Sequence, residues 1–324
     1  MGEDLILNLI RFSVGIALLV KGADLFVAGA SGVAKRAGIP QFVVGLTLVA
    51  FGTSLPELTV NVEASLRGAS EITLGNVIGS NIANILLILG IASLIKPLSV
   101  NRTFVKKEIP LNFLSILILF AMVSDRIVDG SKSAVISRSE GLVLMTTFLG
   151  YLYFLAAFLE KDQQARDVQE VGYFKGGAIT LTGLVGLVLG SEWTVSGGVE
   201  IARILGVSQV IVGLFLIAVG TSLPELMASA VAAYRGNPDL ALGNVAGSNI
   251  FNVSLVLGAS SLIHPIPVPD RVFRDLALLF LATLTLLISS YTGSRYTVSR
   301  REGAVFLVLY TAYVVYSWYL ELTR

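Results

Sequence analysis

Long apolar runs dominate the chain. Short polar or turn-forming stretches divide them into ten segments, near 5–33, 40–66, 71–95, 108–124, 141–160, 174–198, 206–234, 239–262, 273–291 and 303–322. A helix needs about 20 apolar residues to cross the hydrocarbon core of a bilayer, and each segment reads as a spanning helix. Residues 141–159 and 303–322 carry no charge until their ends. The pattern therefore predicts an all-α integral membrane protein of ten transmembrane helices. The most polar stretch, 161–170, lies between the fifth and sixth segments and is too short to fold alone. It reads as a linker between two five-helix halves, 1–160 and 171–324.

The halves are related. Adding 168 to a residue number carries QFVVGLTLVAFGTSLPEL (41–58) onto QVIVGLFLIAVGTSLPEL (209–226), and LGNVIGSNIANILLILG (74–90) onto LGNVAGSNIFNVSLVLG (242–258). It also carries Asp24 onto Glu192. Apolar periodicity alone does not hold Thr, Ser, Pro, Glu and Asn in register over such a distance. Each half has five segments, an odd number, so the second enters the bilayer from the opposite side. Inverted-topology repeats of this kind are typical of secondary transporters with a midplane site between the halves.

Composition sharpens this picture. Only 14% of residues are charged, against about 25% in soluble domains. A net charge of +1 points to no nucleic-acid partner, and no obligatory protein partner is evident. The absence of cysteine excludes disulfides and thiolate metal sites. Residues 1–4 are acidic, unlike the start of a signal peptide, so the first helix is expected to remain in the mature protein. With the N-terminus outside, 13 basic residues fall in inside loops and 8 outside. The positive-inside rule favours that orientation, in a cell membrane crossed many times.

The candidate chemistry lies in the repeated motifs. Glu57 and Glu225 fall near the middle of the second and seventh segments, where an ionised residue is costly and usually faces a polar pathway. Ala50, Thr53 and Glu57 share a helix face, with Ser54 beside them. Pro56 and Gly52 are expected to kink this helix and free carbonyls near 50–53. Ser80 and Asn84, matched by Ser248 and Asn252, bring further oxygens. Asn81 and Asn249 point about a quarter-turn away and rank lower. The glycines 75, 79, 243 and 247 read as helix-packing positions. Two carboxylates, hydroxyls and carbonyls form an all-oxygen set, suited to hard cations such as Ca²⁺ or Na⁺. No basic residue falls near the motifs, so one divalent or several monovalent cations would balance the site. Asp24 is expected to pair with Lys21 one turn away, and His264 to be solvated at a loop. No hydrolase triad or P-loop appears, so neither an enzyme nor an ATP-driven pump is expected. A passive cation channel is a weaker alternative, since channels usually build their filter at a subunit axis.

At GTSLPE (52–57 and 220–225) and GNVxGSN (75–81 and 243–249) the sequence closely resembles the calcium/cation antiporter superfamily, and within it the sodium/calcium exchangers. The resemblance covers most of the chain. It implies a ten-helix inverted-repeat fold, Na⁺ and Ca²⁺ as transported substrates, no cofactor, and a first and sixth helix that slide across the other eight. It also implies that Glu57 and Glu225 are shared ligands, with Thr53 and Thr221 coordinating through backbone or hydroxyl oxygen. Ser54, Ser222, Ser80 and Ser248, with the carbonyls of Ala50 and Ala218, would shape flanking Na⁺ sites. Many sodium/calcium exchangers carry Asp where this chain has Asn252, so its centre has one ionisable group fewer. Eukaryotic exchangers carry a large regulatory insertion where this chain has only 161–170, which resembles a minimal prokaryotic form. A H⁺/Ca²⁺ antiporter using the same carboxylates is the alternative, and GTS in both halves favours Na⁺.

Overall fold

The computed structural model describes residues 2–100, 104–125, 130, 134–157, 170–205, 220–269, 271–292 and 296–322. The helices are α1 (Gly2–Ala37), α2 (Gln41–Thr53), α3 (Leu55–Leu66), α4 (Ile72–Ile95), α5 (Ile109–Met122) and α6 (Arg138–Ala157). They continue as α7 (Tyr173–Ile204), α8 (Leu223–Tyr234), α9 (Pro238–Ile263), α10 (Val272–Ser289) and α11 (Arg300–Leu322). Seven of the described helices are long and apolar enough to cross a membrane, and α2 with α3, bent by 44°, make an eighth. The chain is an all-helical membrane protein. Of the ten expected segments, 108–124 holds the 14-residue α5, which a π turn over Phe104–Glu108 extends at its start, and 206–234 is described from Gly220 onward.

Helix α9 forms the centre, buried along 94% of its most apolar stretch, whereas α11 is buried along only 11%. An apolar helix buried all round belongs inside the protein. The outer helices instead turn Leu7, Leu142 and Val308 outward, as a surface facing lipid tails does.

The two longest helices pack antiparallel along their length. Gly15, Gly22 and Gly29 recur every seventh residue on α1, and Gly176, Gly183, Gly190 and Gly197 do so on α7. Each faces a larger residue across the interface: Phe12 meets Gly197, Gly15 meets Thr194, Leu19 meets Gly190, Gly22 meets Leu187, Phe26 meets Gly183, Gly29 meets Thr180 and Val33 meets Gly176. Gly22 packs against Gly186 as well, and the backbones approach closely. A Cβ added at Gly183 would stand 2.3 Å from Phe26 N. In lipid, where burial of apolar surface gives no drive for association, such close packing is what holds helices together.

Distant parts of the chain are stapled at the helix ends. Short strands pair antiparallel, β1 (Leu98–Ser99) with β4 (Thr297–Val298) and β2 (Val135–Ile136) with β3 (Ile266–Pro267). Beside them, Arg138 donates to Leu262 O and Ile263 O at 3.1 and 3.2 Å, and Arg300 to Leu94 O and Ile95 O at 3.0 and 3.3 Å. These guanidinium groups satisfy the last carbonyls of α9 and α4, which have no intrahelical partner.

Asp24 pairs with Lys21 at 3.8 Å as expected, but it also accepts from Arg235, whose Nε lies at 2.9 Å. The local ion pair is therefore part of a bridge from α1 to the end of α8. His264 is exposed, and its Nδ1 lies 3.2 Å from Ser70 Oγ.

Candidate cation site

The chain breaks at Ser54, between α2 and α3, with φ −84° and ψ 4°. Pro56 offers no N–H, so a helix cannot run through it with all carbonyls satisfied. The break at Ser222, before α8, has nearly the same backbone, φ −88° and ψ 6°. Each break leaves a glutamate in the first turn of the following helix, Glu57 on α3 and Glu225 on α8. Both are buried, at 2% and 1% exposure.

The hydroxyls cross between the two breaks. Ser54 Oγ donates to Glu225 Oε1 at 2.9 Å and lies 3.0 Å from Ser248 Oγ on α9. Ser222 Oγ donates to Glu57 Oε1 at 3.3 Å and lies 3.4 Å from Ser80 Oγ on α4. Each carboxylate is thus held by the serine of the opposite break and keeps its Oε2 buried without a hydrogen-bond partner. Such orphaned buried oxygens are rare and call for a physical reason.

The neighbours support this arrangement from behind. Asn61 Nδ2 donates to Glu57 O at 2.6 Å. Asn244 Nδ2 donates to Glu225 O at 3.3 Å and to Ser229 Oγ at 2.9 Å. Thr53 Oγ1 lies 3.1 Å from Val49 O and from Asn244 Oδ1, while Thr221 Oγ1 is buried without a partner. The Ala50 carbonyl is not free as expected, because Ser54 N donates to it at 3.0 Å. Thr53 Oγ1 also donates to it, at 3.4 Å. Ala218 lies outside the described residues.

One turn beyond the serines stand the asparagines. Asn84 Nδ2 donates to Asn249 Oδ1 at 3.0 Å, and Asn252 Nδ2 donates to Asn81 Oδ1 at 3.0 Å. Asn84 Oδ1 and Asn252 Oδ1 are buried without partners. Each of these residues opens a π turn, Asn84–Ile88 in α4 and Asn252–Val256 in α9. Such turns recur at functional sites because they shift the helix face by a residue. Gly243 and Gly247 do let α9 approach α2: an added Cβ would stand 2.4 Å from Phe42 O and 2.6 Å from Leu46 O.

The predicted residues Glu57, Glu225, Ser54, Ser222, Ser80, Ser248 and Thr53 therefore fall into hydrogen-bonded clusters, with Asn84 and Asn252 on the same helix faces as Ser80 and Ser248. Asn61, Asn244 and Ser229 are supports that the motif reading does not single out, and Asn81 and Asn249, turned away by helix phase, accept hydrogen bonds from Asn252 and Asn84. Among the described residues no three His, Cys, Asp or Glu side chains gather. The donor set is two carboxylates among neutral oxygens, the chemistry of hard cations rather than of a softer resident metal.

Comparison with known proteins accords with that chemistry. The family model described as sodium/calcium exchanger protein matches residues 7–157 and 175–319. The chain belongs to the sodium/calcium exchanger family. It is 36% identical over 311 residues to the putative antiporter CaxA of Alkalimonas amylolytica, an alignment covering 93% of this chain and 95% of that protein. It is 32% identical over 348 aligned positions to the sodium/calcium exchanger MaX1 of Methanosarcina acetivorans, covering 97% and 99%. Its fold is similar to that of the sodium-calcium exchanger NCX_Mj in a crystal soaked with 10 mM Na⁺ and no Ca²⁺. That match has a TM-score of 0.82 and 32% identity, and covers 96% of this chain and 99% of the other. The family is one of membrane transporters rather than enzymes.

Proposed function

We propose that this sodium/calcium exchanger family member is an antiporter that exchanges Na⁺ for Ca²⁺ by alternating access, at one site shared by Glu57 and Glu225. The observation that carries this reading is the crossed pair of serine–carboxylate bonds, Ser54 to Glu225 and Ser222 to Glu57, each leaving one carboxylate oxygen unpartnered. Two buried carboxylates without a basic partner are expensive to keep ionised. One Ca²⁺ balances both. Several Na⁺ can do the same by spreading onto Thr53, Thr221 and the four serines. Two kinds of cation that compete for the same charges cannot occupy them together, and that competition is the physical basis of exchange.

The same reading makes 1–160 and 171–324 two inverted halves of five helices, joined at 161–170, with the N-terminus outside the cell membrane. Support comes from the family model, whose two matched segments begin 168 residues apart. The bonds Ser54–Glu225 and Ser222–Glu57 are each other's images under that shift, as are Asn84–Asn249 and Asn252–Asn81. Alternation draws support from a difference between the halves. Asp24 bonds Arg235, and α1 packs along α8. The related Arg67 bonds Glu63 rather than Glu192, and α7 has no comparable packing on α3. Unlike contacts at related positions are what one of two interconverting access states requires.

The test uses purified protein in liposomes loaded with Na⁺ or K⁺ at matched pH, recording ⁴⁵Ca²⁺ uptake. Uptake is expected only with the outward Na⁺ gradient. Uptake indifferent to Na⁺ but driven by an outward proton gradient would move the chain to H⁺/Ca²⁺ exchange. Uptake needing neither gradient would sink the antiporter reading.

A further inference from the structure

We propose that Asn81 and Asn249 are positioning residues: each fixes the side-chain amide of the opposite helix's Asn252 or Asn84, so that an oxygen and not an NH₂ faces the cation. This inference rests on the shared-site reading.

An asparagine amide has nearly the same shape at both ends. Half a turn about its last torsion exchanges an acceptor for a pair of donors. For a cation ligand that choice is decisive, since an NH₂ group offers no lone pair and presents positive hydrogens. Nothing in the covalent structure of Asn84 or Asn252 selects the oxygen, so a neighbour must.

Each has such a neighbour. Asn252 Nδ2 donates to Asn81 Oδ1 at 3.0 Å, and Asn84 Nδ2 donates to Asn249 Oδ1 at 3.0 Å. All four side chains are buried, between 0% and 3% exposed. Once the NH₂ of Asn84 or Asn252 is spent on its partner, the remaining oxygen is left without one, and both those oxygens are orphaned and buried. Turning either amide over would set two acceptors against each other at hydrogen-bond distance. Asn81 is itself held, because its Nδ2 donates to Asn249 O at 3.2 Å. Its carbonyl end is thereby committed to Asn252.

This division of labour explains why four asparagines stand where two could supply the ligand oxygens. Partners behind a metal ligand typically change affinity by about 10- to 100-fold when removed. Asn81→Leu keeps approximate size but offers no acceptor. It is expected to raise the half-saturating Ca²⁺ concentration for ⁴⁵Ca²⁺ uptake by about tenfold, with little change in maximal rate. In an Asn252→Ala background, where no amide remains to orient, Asn81→Leu is expected to add no further loss.

Unchanged affinity in Asn81→Leu would overturn the inference. So would an equal loss in the Asn252→Ala background, which would make Asn81 a structural residue. If Asn81→Leu yields no folded protein, Asn81→Ser is read in the same way, because its shorter side chain withdraws the acceptor from Asn252. An unsubstituted protein that takes up Ca²⁺ while Asn81→Leu matches it sinks this inference alone. An unsubstituted protein that takes up no Ca²⁺ under any gradient removes the shared-site reading, and this inference with it.

Discussion

Glu57→Gln is expected to abolish Ca²⁺ uptake in proteoliposomes while the protein remains folded. Gln has the size of Glu and still offers an oxygen to Ser222, whose hydroxyl donates to Glu57 Oε1 at 3.3 Å. What it removes is one of two negative charges. Taking away one partner of a buried charge arrangement costs about 3–5 kcal/mol, which taken as binding energy is roughly two to four orders of magnitude in affinity. Glu225→Gln is expected to fail to the same extent, because the cation needs both groups. The doubly substituted protein should be no worse than either single one, since residues acting as a unit are not additive. Size-exclusion profiles and thermal midpoints of the three variants separate lost charge from lost fold. Retained flux with altered selectivity would point to a pore instead.

Gly183→Leu is expected to destabilise the α1–α7 pair severely. The atoms nearest an added Cβ are Phe26 N, Phe26 Cα and Gly22 O, at 2.3, 2.6 and 2.7 Å. All are backbone, so no side-chain rotation relieves the clash. Overpacking a close-packed interior commonly costs about 1–3 kcal/mol, and a rigid backbone wall places this variant at or above the upper end. A marked fall in the thermal midpoint in detergent is the readout. Gly177→Leu, six residues earlier on the same helix, is the control, because an added Cβ there meets nothing within 4 Å. An unchanged midpoint in Gly183→Leu would contradict the glycine-rung packing.

The carboxylates are legible in the sequence because a structural role hardly accounts for a Glu duplicated after Gly-Thr-Ser-Leu-Pro in apolar runs. The serines follow from their duplication. Asn81 and Asn249 rank lower in the sequence because an ideal helix turns them away from the Ser80 and Ser248 faces. Their partners are asparagines of the opposite helix, 171 and 165 residues away, which helix phase does not show, and no Gly or Pro within Asn84–Ile88 announces the π turn that opens there. The period-seven glycines of α1 and α7 are present in the sequence, where a small residue every seventh position marks them. Their partners are not, because an antiparallel register joins residues far apart in sequence. For the same reason Asp24 points to Lys21 three residues away and not to Arg235. Arg138 and Arg300 read as loop charges, since the carbonyls they cap belong to helices over a hundred residues distant.

The central claim, one cation held by both carboxylates, is tested most directly by anomalous diffraction from crystals soaked with Sr²⁺. The account predicts a strong peak within about 2.6 Å of an oxygen from Glu57 and an oxygen from Glu225. A peak bound to one carboxylate alone, or strong peaks only elsewhere in the protein, would contradict it.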